Sequence, residues 1–191
     1  SCHAPLKENL KIENLPALKN NYITYGSFNS FSKISDETID VWSKLLLKTN
    51  SKLILKSSTK RYLEGNSILL EKFEKRGVNL ANIKILDGTF SFIEHLKCYN
   101  NIDIALDTFP YNGATTSFEA IWMGVPVLTM YGNRFNSRYG YSINKNLKLD
   151  KFIASTKDDF ISKAILASSN LEKLSDLRKN IRLRAFNSPL F

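Results

Sequence analysis

DIALDTFPYNGATTSFEAIWMGVPVLTMY, residues 103–131, reads as strand, turn, helix and second strand. Ile104, Ala105 and Leu106 form a short apolar run of the kind a fully buried parallel strand uses. Residues 109–113 break it, because Pro110 lacks an N–H and Gly113 is free to take a positive φ. Thr116-Ser117-Phe118-Glu119 matches a capping box, which predicts Thr116 as the N-cap and Glu119 reaching back to it. Phe118, Ile121 and Trp122 share one helical face, Gly124 suits the C′ position, and residues 125–130 resume as a strand.

A turn of this kind offers backbone N–H groups and the positive end of a helix dipole at the carboxyl edge of a sheet. That is a ready phosphate site. Thr115 and Thr116 add hydroxyl donors, and Glu119 lies in the first turn, near where a ribose diol would sit. The stretch has no G-x-G-x-x-G and no Walker lysine. On spacing alone, an ordinary βαβ turn with a well-capped helix therefore stands slightly ahead of a phosphate site.

Outward from this stretch the chain alternates. Residues 1–20 read as an irregular connecting segment, with Leu10, Ile12, Leu15 and Leu18 clipped onto a surface. Residues 22–28 are the first strand, followed by a tight loop at 26–30 with Lys33 just beyond, in reach of a diphosphate above the sheet or simply exposed. Ser35 caps a helix whose buried face is Ile39, Trp42, Leu45 and Leu46, with Asp36 and Glu37 in its first turn. Residues 52–56 form a strand, 57–65 a polar loop and 68–76 a helix stopped by Gly77. Residues 83–86 are the third strand. Ser91-Phe92-Ile93-Glu94 is a second capping box, so 92–100 is a short helix carrying His95 near the strand's end. After residue 131, a loop precedes a helix over 135–144. Arg134 and Arg138 face a phosphate, a partner domain or plain solvent. Residues 152–154 give a short strand, Thr156 caps a helix to about Ser168, and Leu171, Leu174, Leu177 and Ile181 mark a last amphipathic helix.

This alternation predicts an α/β fold: a Rossmann-like parallel sheet with helices on both faces. Lys33, His95, Thr115, Thr116 and Glu119 all follow strand ends, the edge where open α/β sheets bind ligands. Their convergence is the case for a nucleotide-type ligand.

The 191 residues allow one sizeable core. No apolar run approaches the ~20 residues of a membrane span. Cys2 and Cys98 sit far apart in unlike contexts, which suggests reduced thiols in a cytoplasmic protein and no metal-ligand spacing. The net charge of +9 suits nucleic acid, an anionic surface or a phosphorylated ligand. The lysines are scattered and no nucleic-acid motif appears, so a solvated basic surface is favoured and nucleic acid is not an expected partner.

The run Leu106-Asp107-Thr108-Phe109-Pro110-Tyr111-Asn112-Gly113-Ala114-Thr115-Thr116, continued by Glu119-Ala120-Ile121-Trp122-Met123-Gly124-Val125-Pro126-Val127, resembles the signature of the O-linked N-acetylglucosamine transferase and SPINDLY family, glycosyltransferase family 41. Tyr25-Gly26-Ser27-Phe28-Asn29 with Lys33, Glu94-His95, Ser137-Arg138 and the terminal Ser188-Pro189-Leu190-Phe191 match in the same order. The resemblance implies the C-terminal lobe of a GT-B glycosyltransferase, over residues 21–191, with 1–20 joining it to an N-terminal catalytic lobe. It also implies tetratricopeptide repeats elsewhere in the full protein and a final family helix beyond residue 191.

The same resemblance implies roles. Lys33 contacts the donor diphosphate, His95 lies against the base, Thr115 and Thr116 hold phosphate at the helix start beside Gly113 and Ala114, and Glu119 binds the ribose. Ser30 stands where animal members have a glutamine, Ala114 where they have a histidine, and Cys98 where they have a basic residue. The implied activity is inverting, metal-free transfer of a sugar from a nucleotide sugar, UDP-GlcNAc above all, to protein Ser or Thr hydroxyls, with no further cofactor. SPINDLY-type members use a GDP-fucose donor on the same framework. A polysaccharide or small-molecule glycosyltransferase and a non-catalytic nucleotide- or nucleic-acid-binding module are the alternatives.

Overall fold

Among the described residues, six strands lie parallel in one sheet: β1 (Ile23–Ser27), β2 (Ser51–Lys56), β3 (Ile83–Leu86), β4 (Ile104–Leu106), β5 (Val127–Met130) and β6 (Ile153–Ala154), in the spatial order β3-β2-β1-β4-β5-β6. This is a computed structural model, and it describes residues 10–57, 63–89 and 91–190. Leu53, Leu55, Ile104, Leu106 and Leu128 are buried, as expected of central strands covered on both faces.

The order reverses between β1 and β4, where Tyr25 pairs with Ile104 and Gly26 with Ala105. From β1 the chain moves outward through α2 (Asp36–Lys48) and α3 (Leu63–Glu74); from β4 it moves the other way through α5 (Thr115–Trp122) and α6 (Tyr139–Asn146). Right-handed crossovers therefore place α2 and α5 on opposite faces. The loops leaving β1 and β4 part company and open a crevice at the carboxyl edge. The helix α7 (Lys157–Ser168) packs on α2, and α8 (Leu171–Phe186) on α5.

Several expected caps are present. Ser35 accepts from the Thr38 N–H, and Thr156 from the Asp159 N–H. Ser91 and Glu94 form the reciprocal box at the start of α4 (Phe92–Lys97). Gly77 and Gly124 sit at φ +81°, as the helix C′ position requires.

Four expectations are corrected. Thr116 is not the N-cap of α5: the helix begins two residues earlier than that cap implies, with Ala114 in the N-cap place and no side-chain cap, because the Thr116 hydroxyl and the Glu119 carboxylate are held by other elements. Gly113 does not take a positive φ; it is glycine because a Cβ would lie 2.5 Å from Asn29 Oδ1 and 2.6 Å from Thr116 Oγ1. The α3 helix starts at Leu63 rather than 68: Gly65 and Asn66 are weak helix formers, but Leu69 and Phe73 are locked in the core and carry the preceding turn with them. The predicted loop at 57–65 otherwise falls largely outside the described residues. The predicted 135–144 helix is split into a 3-10 turn, Phe135–Ser137, and α6 beginning at Tyr139.

The start of the chain is also more ordered than expected. Leu15 and Ala17 are buried, and α1 (Ala17–Asn20) is a single turn. Ala17 and Thr24 both donate backbone N–H groups to the buried Asp103 carboxylate, at 2.9 and 2.8 Å. Cys2 lies outside the described residues.

Candidate functional site

Everything chemically notable gathers where β1 and β4 diverge. Beyond β1, a 3-10 turn, Phe31–Lys33, carries Lys33 over the crevice. Its ammonium donates to the Asn112 carbonyl at 3.2 Å and lies 4.3 Å from the centre of the Tyr111 ring. Burial draws the Lys33 pKa below its ordinary value, and the Asp107 carboxylate draws it back up. One N–H is taken by Asn112; among the described residues the other two have no acceptor.

Beyond β4, Asp107 is the buried hub of the loop that leads to α5. Its Oδ1 accepts the Gly113 N–H at 2.7 Å and its Oδ2 the Thr129 hydroxyl at 2.7 Å, with Asn29 Nδ2 at 3.4 Å from Oδ1. Burial pushes its pKa up to about 7; the Gly113, Thr129 and Thr108 hydrogen bonds and then Lys33 oppose that shift. The far side of the loop is fixed by α2, whose Ser35 and Thr38 hydroxyls both donate to the Phe109 carbonyl at 2.8 Å. The Asn112 N–H donates to Asn136 O at 2.9 Å.

The start of α5 is thereby aimed but left open. Ser117 and Phe118 N–H groups both bond to Ala114 O, and Gly113 N–H to Asp107. The N–H groups of Ala114, Thr115 and Thr116 have no acceptor among the described residues. Thr115 is exposed; the Thr116 hydroxyl donates to Asn29 Oδ1 at 2.6 Å. Three N–H groups left open at a helix start, with the half-buried Lys33 ammonium bonded to the preceding Asn112 carbonyl, make a candidate anion cradle.

His95 and Glu119 meet beside this cradle. Glu119 Oε2 lies 3.0 Å from His95 Nε2 and 3.0 Å from the Tyr99 hydroxyl. Burial and the neighbouring Glu119 hold the Tyr99 pKa well above its usual value, so it remains a donor. Glu119 Oε1 has no partner among the described residues and is the acceptor a vicinal diol would use. Both nitrogens of His95 are occupied, Nδ1 by Lys56 Nζ at 2.8 Å, so the ring offers a face rather than an edge to a base. Phe92 lies nearly parallel to it, with centroids 6.2 Å apart.

The remaining expected residues stand apart. Ser30 is exposed and bonds to the Ser32 hydroxyl at 2.9 Å. Arg134 and Arg138 are exposed on the loop that Asn136 ties to the site, with Arg138 5.6 Å from the Tyr141 ring centre. Among the described residues, no group of three or more His, Cys, Asp or Glu is placed to hold a metal ion. Nor is any helix long and apolar enough to cross a membrane. Sequence reasoning assigned no role to Lys56, Asn29, Tyr99 or Asp107. Lys56 and Asp107 were within reach of the rule that picked the others, since one ends β2 and the other follows β4 directly.

Residues 8–191 match the description of glycosyl transferase family 41. The chain belongs to glycosyltransferase family 41. It is 34% identical over 190 residues to a probable UDP-N-acetylglucosamine–peptide N-acetylglucosaminyltransferase SPINDLY of Eustoma exaltatum subsp. russellianum, covering 99% of this chain and 21% of that protein. A solved Thermobaculum terrenum O-GlcNAc transferase mutant superposes with a TM-score of 0.81 at 34% identity, over 86% of this chain and 32% of that one. The C-terminal domain of a Francisella tularensis glycosyl transferase group 1 protein shares the fold, with a TM-score of 0.65 at 15% identity over 91% of this chain and 92% of that domain. This family 41 chain is thus a Rossmann-like lobe of the GT-B type. It spans about a fifth of the length of the curated relatives it matches.

Proposed function

We propose that this chain is the donor-binding lobe of a cytoplasmic protein O-N-acetylglucosaminyltransferase. The donor is UDP-GlcNAc, and the sugar passes with inversion to a Ser or Thr hydroxyl, without a metal. The names of the SPINDLY and Thermobaculum relatives support the reaction class. The observation that carries the reading is the cradle itself: the Lys33 ammonium and the open N–H groups of Ala114, Thr115 and Thr116 on one side, the free Glu119 oxygen on the other.

A nucleoside diphosphate fits this order of groups. The diphosphate lies between Lys33 and the α5 start, the ribose diol on Glu119 and the base on the face of His95. As the acceptor oxygen attacks the anomeric carbon, the bond to the diphosphate breaks and its negative charge grows. Lys33 and the α5 N–H groups are already oriented toward that charge, which is electrostatic stabilisation of the transition state. Acceptor activation and the grip on a protein substrate belong, in this proposal, to a preceding lobe and to tetratricopeptide repeats. The free Cys98 thiol suits a reducing compartment.

Ala114 and Cys98, which depart from the animal pattern, favour keeping a GDP-linked donor as the second reading. Titration of the chain and of the full-length protein with UDP and GDP decides the base. Saturable binding of one nucleotide, weakened in Lys33→Ala, is expected. Turnover of the full-length Lys33→Ala enzyme should fall on the order of 100-fold. Unchanged turnover in that variant overturns the assigned role of Lys33.

A further inference from the structure

Lys56, the last residue of β2, is almost completely buried at 1% exposure. Among the described residues no carboxylate lies within ion-pair distance of it. Its ammonium has His95 Nδ1 at 2.8 Å and Thr89 Oγ1 at 3.5 Å. Burying a cation without an acid is costly, and a methionine of similar length would fill the same buried volume at the end of β2 without the charge. Stability alone gives no reason for a lysine there.

The neighbouring ring supplies the reason. An ammonium only donates, so His95 Nδ1 must accept and carries no proton. The ring proton then sits on Nε2, which donates to Glu119 Oε2 at 3.0 Å. With the other tautomer, Nδ1–H would meet the ammonium donor to donor, and Nε2 would turn a lone pair on the carboxylate. Two polar repulsions separate the tautomers, which fixes one of them. From the other side the Tyr99 hydroxyl reaches the same Oε2. Both bonds on Oε2 leave Oε1 as the oxygen free for a ligand.

We propose that Lys56 is a positioning residue that locks His95 in its Nε2–H tautomer and so orients the Glu119 carboxylate toward the ribose diol of a nucleoside diphosphate. The inference rests on the donor-site reading of Glu119 and His95, but its first test needs no nucleotide. His3 and His95 are the only histidines in this sequence, so imidazole nitrogen NMR of the histidine-labelled chain reports the His95 tautomer directly. The wild type should show a protonated Nε2 and a bare Nδ1. Lys56→Met should give a mixture of tautomers, while Lys56→Arg, still a pure donor, should keep the wild-type pattern. The methionine variant is expected to melt no lower than wild type, which separates the effect from misfolding.

Binding then connects the tautomer to the ribose. Lys56→Met should weaken whichever of UDP and GDP binds by about tenfold, the scale of one oriented charge-assisted hydrogen bond. It should leave the 2′,3′-dideoxy form of that nucleotide unaffected, and Lys56→Arg should restore affinity. An unchanged His95 spectrum in Lys56→Met overturns the proposal, as does an equal loss for the diol and dideoxy nucleotides. If Lys33→Ala leaves nucleotide binding intact, the donor-site reading fails instead, whatever Lys56 does.

Discussion

Asp107 shows how much one residue decides at this site. It holds Gly113, Thr129 and Asn29 together and lies close enough to Lys33 to steady its charge. The same burial that makes it a good anchor makes its ionised form expensive. Its folded pKa, about 7, lies well above the ordinary carboxylate value of 3.8. Between those values the folded state holds a proton that the unfolded chain has released. The contribution of Asp107 to stability is therefore full below about pH 4, declines as pH rises, and is lost above about pH 7. The span is on the order of 4 kcal/mol. Urea denaturation of wild type and Asp107→Asn across pH 4 to 8 tests this: the stability difference between them should shrink as pH rises. A difference that stays constant removes Asp107 as the titrating group. Exposed carboxylates such as Asp36 and Asp150, with pKa values lowered by lysine partners, work in the opposite direction, which is why the comparison is with the variant.

Among the elements, α4 and α5 were expected to be built alike and are not. The α4 helix obeys the local rule: the Ser91 hydroxyl accepts the Glu94 N–H at 3.1 Å and Glu94 Oε2 accepts the Ser91 N–H at 3.2 Å. Ser91→Ala should cost about 1 kcal/mol, read as a lower urea midpoint at unchanged m-value. The α5 helix carries a capping-box sequence, yet Thr116 turns to Asn29 and Glu119 to His95 and Tyr99. Its first N–H groups stay open as a result. A local preference left unfulfilled at a helix start is what an anion site requires.

At the scale of the whole molecule, Arg178 on α8 ties the most distant parts of the chain together. It is 1% exposed and donates to Glu13 O at 2.8 Å and Ile102 O at 2.9 Å, with the Asp103 carboxylate close enough to hold up its pKa against burial. Burial nevertheless brings that pKa down to about 10. Arg178→Ala would strand two carbonyls and leave the buried Asp103 without its nearby cation. The expected loss is about 3–5 kcal/mol, seen by calorimetry as a lower melting temperature. An unchanged melting temperature would show that residues 13–17 and β4 are secured without it.

The sequence by itself determined the α/β class, the order of strands and helices, most of the caps, and the edge of the sheet where the candidate site gathers. These follow from local information: apolar runs, turn residues and the rule that parallel strands deliver their following residues to one side. The residues Lys33, His95, Thr115, Thr116 and Glu119 were found that way. Their partners were not. Lys56 and His95 are 39 residues apart, Asn29 and Thr116 are 87, and no local pattern pairs them. Only the tertiary structure decided that Thr116 and Glu119 leave the helix cap, that Gly113 is small for Asn29 rather than for its φ, and that a buried lysine faces the histidine ring. Side chains at a switch point choose among partners delivered by different strands, and the choice depends on packing distance, which sequence spacing does not carry.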